Sequence, residues 1–497
     1  MNLQALGLRF SPQTAVPLVR IPVVPYNVLS ERAVAALGNG NRLIAHFVAP
    51  REGRRHLFTV LGDEWRSECE VLSAELEPSH PSLTPLCAQF HLFEREIAED
   101  YGVSFDGIPV SAPVRFVPGA PMAIERQDYF RVGGSDAHEF AVGPVHAGVI
   151  EPGHFRFQAH GEEILHLEIS LGYQHRGIER ALIGGPHPRT SAQLETVAGD
   201  TSVGHAVCYF QLLEALTGTQ VNRTAQNIRV VGLELERIAN HIGDIGALAN
   251  DVAFVPTAAY CGRLRGSALN LTAELCGSRF GRGLICFGGT RFQMAADTSE
   301  RLMTGLALLE KELADPISLL FEHPIVLSRF SGTGVVSRAI ARELGVVGVA
   351  ARASGLAIDS RKSFSGDLYS HIPFRIMQEH SGDVLARAAI RRDEIHESLG
   401  IIRSLIEHPP AGSPSRADLA LDRIPPNHFC LSMTEGWRGE ITHVAVTGAD
   451  RRFAAYKIFD PSYHNWAALA YAMRREVIFE FPLCNKSFNL SYCGVDR

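Results

Sequence analysis

One stretch, NIRVVGLELERIANHIGDIGALAND at residues 227–251, constrains the fold more than any other part of the chain. Its apolar residues recur at alternating steps of three and four, the spacing that aligns side chains along one face of an α-helix. They are Ile228, Val231, Leu235, Ile238, Ile242, Ile245 and Ala249. The stretch therefore predicts a long helix whose apolar face packs against a large core.

A second stripe on the same predicted helix is polar and consists of Glu234, Arg237, His241 and Asp244. A polar stripe at helical spacing is compatible with a solvent-exposed face. It is equally compatible with a helix inside a large bundle, where charged groups pair with one another. Both interpretations stay open on the sequence alone.

Other segments predict a mixture of helices and strands. Residues 42–49, 56–63 and 68–75 have the pattern of short strands, each closed by charge, Gly or Pro. The next segment, LTPLCAQFHLFEREIAEDYG, predicts a helix that ends at Gly102. Residues 383–407 predict another long helix, which a Pro-rich connector ends.

The length of 497 residues exceeds what one core supports, so we expect at least two domains. The segment RQDYFRVGGSDAHEF has little periodicity and two adjacent glycines, which favours a boundary there. We predict a first domain at residues 1–126, a linker at 127–140 and a second domain at 141–497.

Composition excludes several classes of protein. The net charge of -7 comes from acidic and basic residues spread along the chain, which gives no basis for nucleic-acid binding. The N-terminus lacks the pattern of a signal peptide, and no stretch approaches the roughly 20 apolar residues of a membrane-spanning helix. The nine cysteines have irregular spacing without a C-x-x-C pair, so we expect free thiols rather than disulfides or a zinc ribbon.

Titratable residues are concentrated between residues 143 and 180, around glycine turns. Such clusters are candidate sites, and a surface hairpin with scattered histidines has the same pattern. The residues of interest are His146, Glu151, His154, His175 and Arg176.

A second candidate lies in ETVAGDTSVGHAVCYFQLLEAL at residues 195–216. Asp200 and Thr201 precede a predicted helix, and either of them can cap its N-terminus. His205 and Cys208 lie one turn apart and can bind a metal, but such a site needs two further ligands.

Several motifs occur in an order that resembles a known family. They are GPVH, EPGHFRF, GEEI and GYQHRGIER, then ELERIANHI, GGTRF, RASGLAIDSR, GDVLARAAIRRDEI, EGWRGE and the terminal VDR. Together they resemble the large subunit of membrane-bound [NiFe]-hydrogenases of the formate hydrogenlyase type (group 4) and its relative, the D component of NADH-quinone oxidoreductase (complex I). The earlier segment PSLTPLCAQFHLFEREIAEDYGVSFDG resembles the C component of complex I. A fused C-like and D-like chain is the arrangement of the hydrogenlyase large subunit.

This resemblance implies an α+β fold. We expect a small N-terminal α/β-sandwich-like domain similar to the C component of complex I. A large, mainly helical domain with peripheral β-structure, similar to the hydrogenase large subunit and the D component of complex I, would follow it.

The chain departs from the hydrogenases at the metal ligands. Four thiolates from two C-x-x-C pairs hold nickel and iron in that family, and soft thiolates suit the site. The corresponding positions are Ala198, Thr201, Ser491 and Gly494. We therefore expect no nickel–iron centre and no metal in this chain, and no C-terminal extension that awaits removal.

The resemblance also implies roles for other residues. Glu151 matches the glutamate that moves protons in hydrogenases, and Arg438 matches the arginine above their iron ligands. A tyrosine that contacts quinone in complex I falls on Gly199 here, and the region of its quinone-contacting histidine reads HAGVIEPGH. We predict Glu151, Asp200, His205 and Arg438 as catalytic residues. The predicted cavity-lining residues are His146, His154, His175, Arg176 and Glu435.

Three functions are compatible with these observations. The first is electron transfer to a quinone or a similar carrier, with Glu151 as proton donor beside His146 or His154. The second is a non-catalytic coupling subunit of an ion-translocating, antiporter-like complex. The third keeps metal chemistry, either as a true [NiFe]-hydrogenase or through the alternative ligands His205, Cys208, Cys484 and Cys493.

The resemblance implies partner subunits as well. We expect a small iron–sulfur subunit similar to the B component of complex I, and membrane subunits similar to the H component of complex I and to antiporters. The chain has no binding motif for NADH, flavin or an iron–sulfur cluster, so we expect the cluster in a partner and a quinone at the cavity between them. The expected location is cytoplasmic, attached peripherally to the inner face of the membrane.

Overall fold

Most strands lie in the N-terminal and C-terminal parts of the chain, and most of the long helices lie in the middle. The structure is a computed structural model that describes residues 6–117, 129–134, 136–148 and 150–497. The strands are β1 (Leu8–Phe10), β2 (Thr14–Pro17), β3 (Arg42–Arg51), β4 (Arg54–Asp63), β5 (Glu68–Glu75), β6 (Ser79–Pro81), β7 (Ser104–Asp106), β8 (Ala137–Val142), β9 (His154–His160), β10 (Glu163–Ser170), β11 (Ile285–Cys286), β12 (Gly289–Thr290), β13 (His428–Glu435), β14 (Glu440–Thr447) and β15 (Phe453–Phe459).

The helices are α1 (Tyr26–Gly38), α2 (His91–Tyr101), α3 (Ile178–Leu182), α4 (Thr190–Leu194), α5 (Ser202–Thr217), α6 (Arg223–Asp251), α7 (Val255–Cys276), α8 (Ala296–Glu322), α9 (Pro324–Phe330), α10 (Arg338–Glu343), α11 (Gly348–Ala353), α12 (Ser360–Ser363), α13 (Val384–Glu407), α14 (Pro461–Ala472) and α15 (Phe481–Phe488). Single 3-10 turns lie at Leu18–Arg20, Ala88–Phe90, Leu421–Arg423 and Ile478–Glu480.

An antiparallel sheet in the order β1-β5-β4-β3 forms the N-terminal part. The three strands predicted from sequence are confirmed as β3, β4 and β5. The helix predicted after them begins at His91, later than its pattern suggests, and it ends as predicted at Gly102. Gly102 has a φ of 69°, the left-handed conformation that commonly ends a helix and that glycine adopts at little cost.

The helical core is built around α6, which packs against α7 and α13. Every residue of the predicted apolar stripe is buried in it. The side chain of Asn222 caps α6 by accepting a hydrogen bond from Ala225 N at 3.0 Å. The predicted helix at residues 383–407 is confirmed as α13.

The polar stripe of α6 is buried as well, which decides between its two interpretations. Arg237 Nε donates to Glu234 Oε2 at 3.1 Å, and His241 Nε2 lies 2.9 Å from Glu394 Oε2. Arg391 Nε donates to Asp244 Oδ2 at 2.7 Å. The bundle interpretation is therefore confirmed, because α13 supplies partners for the stripe.

A second sheet joins the two ends of the chain, in the antiparallel order β15-β14-β13-β2. Val16 of β2 pairs with Phe429 of β13. The rings of Phe10 and Phe429 pack edge to face with centroids 5.5 Å apart. The N-terminal and C-terminal parts thus share a sheet and a hydrophobic core.

The predicted linker at 127–140 is described only in part, since residues 127, 128 and 135 lie outside the described residues. Its last residues belong to β8, which pairs with β9. The coarse prediction of a mixed helix and strand fold is confirmed, and the domain boundaries stay a prediction. Among the helices that the structure describes, none has both the length and the apolar composition for crossing a membrane.

Candidate functional site

An ion pair between Asp200 and Arg438 forms the centre of the candidate site. Arg438 Nη1 donates to Asp200 Oδ1 at 2.6 Å, and Nη2 donates to Oδ2 at 2.7 Å. Two parallel hydrogen bonds of this kind are a strong and directional contact. Burial favours the neutral form of Asp200, but Arg438 outweighs burial and holds the pKa of Asp200 below its ordinary value. Both predicted residues are therefore charged and directly bonded to each other.

The tight turn between β13 and β14 presents Arg438 to Asp200. Gly436 N donates to Gly439 O at 2.8 Å, and Gly439 N donates to Gly436 O at 3.2 Å. Gly439 has a φ of 141°, and a Cβ atom there would lie 2.8 Å from Gly348 Cα. The turn therefore requires glycine at this position, for both its conformation and the space beside it.

Arg237 holds this turn from the interior. Its Nη1 donates to Gly436 O and its Nη2 donates to Glu435 O, each at 3.0 Å. Arg237 is fully buried, and its Nε donates to Glu234. The buried polar stripe of α6 thus fixes the backbone on which Arg438 is carried.

Two residues that were not predicted from the sequence complete the surroundings of Asp200. Trp437 Nε1 donates to Asp200 O at 3.1 Å, and Asn240 Nδ2 donates to the same oxygen at 2.9 Å. The guanidinium carbon of Arg438 lies 3.9 Å from the centroid of the Trp437 ring. Trp437 is part of the EGWRGE motif, which is the sequence feature that could have indicated it.

The N-terminus of α5 lies beside Asp200, and its capping differs from expectation. Glu236 of α6 accepts hydrogen bonds there from Val203 N at 2.7 Å and Gly204 N at 3.2 Å. The Thr201 hydroxyl instead donates to Asp200 Oδ1 at 3.0 Å. Burial raises the pKa of Glu236 to about 8. A carboxyl group that titrates near neutral pH therefore lies under the Asp200 loop.

The last residues of the chain contact both Glu151 and Arg438. Glu151 Oε2 accepts from Tyr492 N at 2.9 Å and from Cys493 N at 3.4 Å. Arg438 Nε donates to Asn489 O at 2.5 Å. Glu151, Asp200 and Arg438 therefore all lie near this terminal segment. They are three of the four residues predicted as catalytic.

The four positions that match metal ligands in the hydrogenases are all buried. Thr201 N donates to Ala198 O at 3.1 Å, and Gly494 N donates to Ser491 Oγ at 3.0 Å. A Cβ atom at Gly494 would lie 2.7 Å from Asp460 Cγ, so a cysteine there would displace Asp460. The side chains present do not fit a nickel–iron centre, because none of them is a thiolate.

The alternative metal ligands are no closer to a binding set. Burial raises the pKa of Cys208, Cys484 and Cys493 to about 12 each, which keeps these thiols protonated. In the part of the chain that the structure describes, no group of three or more His, Cys, Asp or Glu side chains is arranged to hold a metal ion.

His205, the fourth predicted catalytic residue, belongs to a buried chain of hydrogen bonds. Its Nδ1 lies 3.0 Å from His443 Nε2, and His443 Nδ1 lies 2.8 Å from the Tyr456 hydroxyl. Its Nε2 lies 3.5 Å from Asp460 Oδ2. Burial holds the pKa of His443 well below its ordinary value, so His443 is neutral. Asp460, His443 and Tyr456 were not predicted, although Asp460 precedes Pro461 at a typical helix start.

Glu435, predicted to line a cavity, lies in the core on the other side of the turn. It accepts hydrogen bonds from Arg352 Nη1 at 2.8 Å and from Ser360 N at 3.0 Å. Burial, reinforced by Asp359, raises the pKa of Glu435 to about 7.

The remaining predicted residues lie at separate places. His146 Nε2 is 2.9 Å from Gly153 O, and His154 Nδ1 is 3.3 Å from Gly143 O, so both histidines hold the loop before β9. Their roles stay predictions.

Arg176 and His175 lie beyond this loop. Arg176 donates to the main-chain oxygens of Thr196 at 2.9 Å and Val197 at 3.1 Å, next to Ala198. His175 lines a different cavity, together with residues from the N-terminal part of the chain.

A groove of about 740 Å³ opens beside the ion pair. Small residues of α6 and α7 form much of its wall, which leaves room for a ligand between the two helices. Its polar and charged lining residues are Asp200, Asn240, Asp244, Asn250, Arg265, Lys486 and Asn489. Asp200 therefore belongs both to the ion pair and to the wall of a groove whose volume is typical of ligand sites.

Comparison with known proteins agrees with the motifs. Residues 251–428 match the family described as the respiratory-chain NADH dehydrogenase 49 Kd subunit. The carbon monoxide-induced hydrogenase of Rhodospirillum rubrum is 31% identical over 349 residues, which cover 70% of this chain and 96% of that protein. Formate hydrogenlyase subunit 5 of Escherichia coli K12 is 26% identical over 473 residues, 90% of this chain and 82% of that protein.

A solved structure has a similar fold. It is the membrane-bound sulfane sulfur reductase, an archaeal respiratory membrane complex. The matching chain superimposes with a TM-score of 0.67 at 25% sequence identity, over 73% of this chain and 99% of that chain.

Proposed function

The chain belongs to the family of hydrogenase large subunits and respiratory-chain NADH dehydrogenase 49 kDa subunits, and we propose that it accepts no nickel–iron centre and transfers electrons to a quinone or a similar small carrier. The observation that carries this proposal is the ion pair of Asp200 and Arg438. Asp200 stands between Ala198 and Thr201, and Arg438 contacts the segment that leads to Ser491. A charged pair thus adjoins the ligand positions that lack thiolates.

The groove beside Asp200 is the proposed carrier site. A quinone oxygen gains negative charge as electrons arrive, and a fixed guanidinium group stabilises such charge. Arg438 is the proposed group, because it is bonded to Asp200, which lines the groove. Sulfane sulfur, which the solved relative reduces by its name, is a second acceptor of this kind.

Reduction of one quinone to quinol takes up two electrons and two protons. An iron–sulfur cluster in a partner subunit is the proposed electron source. Glu151 is the proposed proton donor, because its carboxylate contacts the terminal segment beside Arg438 and is half-buried rather than sealed in the core. It can then take up a new proton from solvent.

The proposed partners follow from the same family. They are a small iron–sulfur subunit similar to the B component of complex I, a membrane subunit similar to its H component, and antiporter-like membrane subunits. We place the chain at the cytoplasmic face of the membrane through these partners. The N-terminal sheet with α1 and α2 is the proposed counterpart of the C component of complex I.

A second function, a non-catalytic coupling subunit, is favoured by one observation. Asp200 and Arg438 satisfy each other, and Asp460 fills the space beside Gly494. A site that has lost its reaction can keep such a pair, because the loss of Asp200 would leave the buried Arg438 without its charged partner.

Metal and quinone analysis of the complex, purified with its native partners, tests both functions. Iron without nickel, together with bound quinone, is expected for electron transfer. Iron without quinone or any reducible carrier supports the coupling function. Stoichiometric nickel would contradict both functions, because both assume that the four ligand positions, which lack thiolates, hold no nickel.

Two variants test the residues directly in that complex. Arg438→Gln is expected to lower quinone reduction at least tenfold while the subunits stay assembled. Arg263→Gln is the matched control, because Arg263 pairs with Glu312 at the surface, with 52% and 32% of their side chains exposed. Equal activity in the two variants would remove the proposed role of Arg438.

A further inference from the structure

Two cations in the groove beside Asp200 have no charged partner. They are Arg265 of α7 and Lys486 of α15, and both line the groove. Each side chain is half-buried, and neither has a hydrogen bond or an ion pair with any residue that the structure describes. A cation that is partly withdrawn from water and has no partner gains when an anion binds to it. The groove therefore offers two unused positive groups to a ligand.

The two carboxylates that line the groove do not neutralise these cations, because each has an arginine of its own. Asp200 is bonded to Arg438 through both of its oxygens. Asp244 Oδ2 accepts from Arg391 Nε at 2.7 Å. Neither of these arginines lines the groove. The two free cations thus give the groove an excess of positive charge, and the favoured ligand is an anion.

A glycine of α6 determines where the Arg265 side chain lies. A Cβ atom at Gly243 would lie 2.8 Å from Arg265 Cδ and 3.0 Å from its Nε. Gly243 lies inside α6, where glycine is less stable than alanine. The missing side chain leaves the space that Arg265 occupies along the groove.

Positions along α6 show how far a ligand must reach. Asn240 donates to Asp200 O, and Gly243 follows about 4.5 Å along the helix axis, at 1.5 Å per residue. A ring beside Asp200 can therefore carry a substituent that reaches Arg265. Burial raises the pKa of Asp251, at the end of α6, and Lys486 opposes this rise, so Lys486 lies toward that end of the groove.

We propose that the carrier in the groove beside Asp200 is an anion, namely a reducible ring with a carboxylate- or phosphate-like group that Arg265 binds. This inference rests on the proposed electron-transfer function and narrows the class of its carrier. The ring takes up two electrons from the proposed iron–sulfur cluster and two protons, and the anionic group is unchanged by the reaction. Arg265 donates charge-assisted hydrogen bonds to that group, and Lys486 adds to the positive field that attracts it.

Two probes of nearly equal shape and different charge test the proposal. Anthraquinone-2-sulfonate is an anion, and anthraquinone-2-sulfonamide is neutral at pH 7.5. Calorimetric titration of the full-length chain is expected to show saturable binding of the sulfonate, about tenfold tighter than that of the sulfonamide. This preference should shrink as the salt concentration rises, because salt screens the charges.

Four variants locate the anion-binding group. Arg265→Gln is expected to abolish the preference for the sulfonate, and Lys486→Gln is expected to reduce it. Gly243→Ala keeps every charge but displaces the Arg265 side chain, so it should also reduce the preference. Arg263→Gln is the matched control, because Arg263 lies on the same helix outside the groove and is paired with Glu312. It should leave both affinities unchanged.

Equal affinity for the two probes, no saturable binding, or a preference that survives Arg265→Gln would each overturn the proposal. Circular dichroism establishes that each variant is folded before it is titrated. Reduction of both probes by the complex, purified with its partners and reduced with dithionite, tests the electron-transfer function separately. Arg265-dependent binding without reduction of either probe would remove that function and the carrier role, while the anion site itself would stand.

Discussion

Glu236 is a single residue whose ionisation the fold controls. Its pKa is raised by burial to about 8, from an ordinary value of 4.5. Between these pH values the folded chain binds more protons than the unfolded chain, so this residue makes stability fall as pH rises from 5 to 8. Asp200 adds to the shift, whereas Arg237 and the amides of Val203 and Gly204 oppose it.

We predict that Glu236→Gln removes this decline. The amide oxygen can still accept from Val203 N, but the amide nitrogen cannot accept from Gly204 N, so the variant should be slightly less stable than the parent chain near pH 5. Near pH 8.5 it should be more stable by about 1 kcal/mol or more, since one pKa unit corresponds to about 1.4 kcal/mol. Urea denaturation at both pH values measures the difference, and a pH-independent difference would contradict the assignment.

The ion pair of Asp200 and Arg438 is the basis of a second prediction about single residues. In a double-mutant cycle of Asp200→Asn and Arg438→Gln, we expect a coupling energy of about 1 to 3 kcal/mol, because both hydrogen bonds are charge-assisted. Unfolding free energies at pH 7 measure the coupling. A value near zero would mean that solvent screens the pair, since 32% of the Asp200 side chain is exposed.

Single residues also mark the limit of what the sequence could predict. Asp200 and Arg438 were both identified, but their direct bond joins residues 238 positions apart, and no local pattern encodes such a contact. Trp437 and Asn240 were missed for the same reason, because each acts on the main-chain oxygen of Asp200 rather than through a motif.

At the scale of elements, α6 was predictable and its polar face was not. Periodicity defines the helix and its apolar stripe. The hydrogen-bond partners of Arg237 include the turn between β13 and β14, and the partner of His241 lies on α13. Both elements lie far along the chain, so the sequence left the exposed and buried interpretations open.

Arg237 links this helix to the turn that carries Arg438, and we predict a large effect of Arg237→Met. The substitution leaves Glu234 with fewer partners in the core, and it frees two main-chain oxygens of the turn. Removing one partner of a buried ion pair costs about 3 to 5 kcal/mol. Trp437 fluorescence should also shift to longer wavelength as the turn loosens and water reaches the ring.

The control for this prediction is Arg263→Met, which removes the exposed arginine paired with Glu312. Exposed pairs contribute about 0 to 1 kcal/mol, so its unfolding free energy should hardly change. If Arg237→Met were equally harmless, the buried network would not hold the turn.

For the whole molecule, the contacts between its two ends decide how it unfolds. Strand β2 completes the sheet of β13, β14 and β15, so part of the N-terminal chain belongs to the C-terminal structure. A buried cluster adds to this connection, because Arg497 Nη2 donates to Glu96 Oε2 at 3.0 Å and Lys457 also donates to Glu96. Burial opposes ionisation of Glu96, but these cations and Arg115 hold its pKa below the ordinary value.

We therefore predict a single cooperative unfolding transition in which β3–β5 and α6 lose hydrogen-exchange protection at the same urea concentration. Glu179→Gln should lower both protections together, because Glu179 bonds Arg115, Lys457 and Arg497 across the two parts. Glu75→Gln is the matched control, since the pair of Glu75 with Arg54 is largely exposed. Loss of protection in β3–β5 well before α6 would mean that the N-terminal sheet folds as an independent unit, and that the charged cluster only holds two separate domains together.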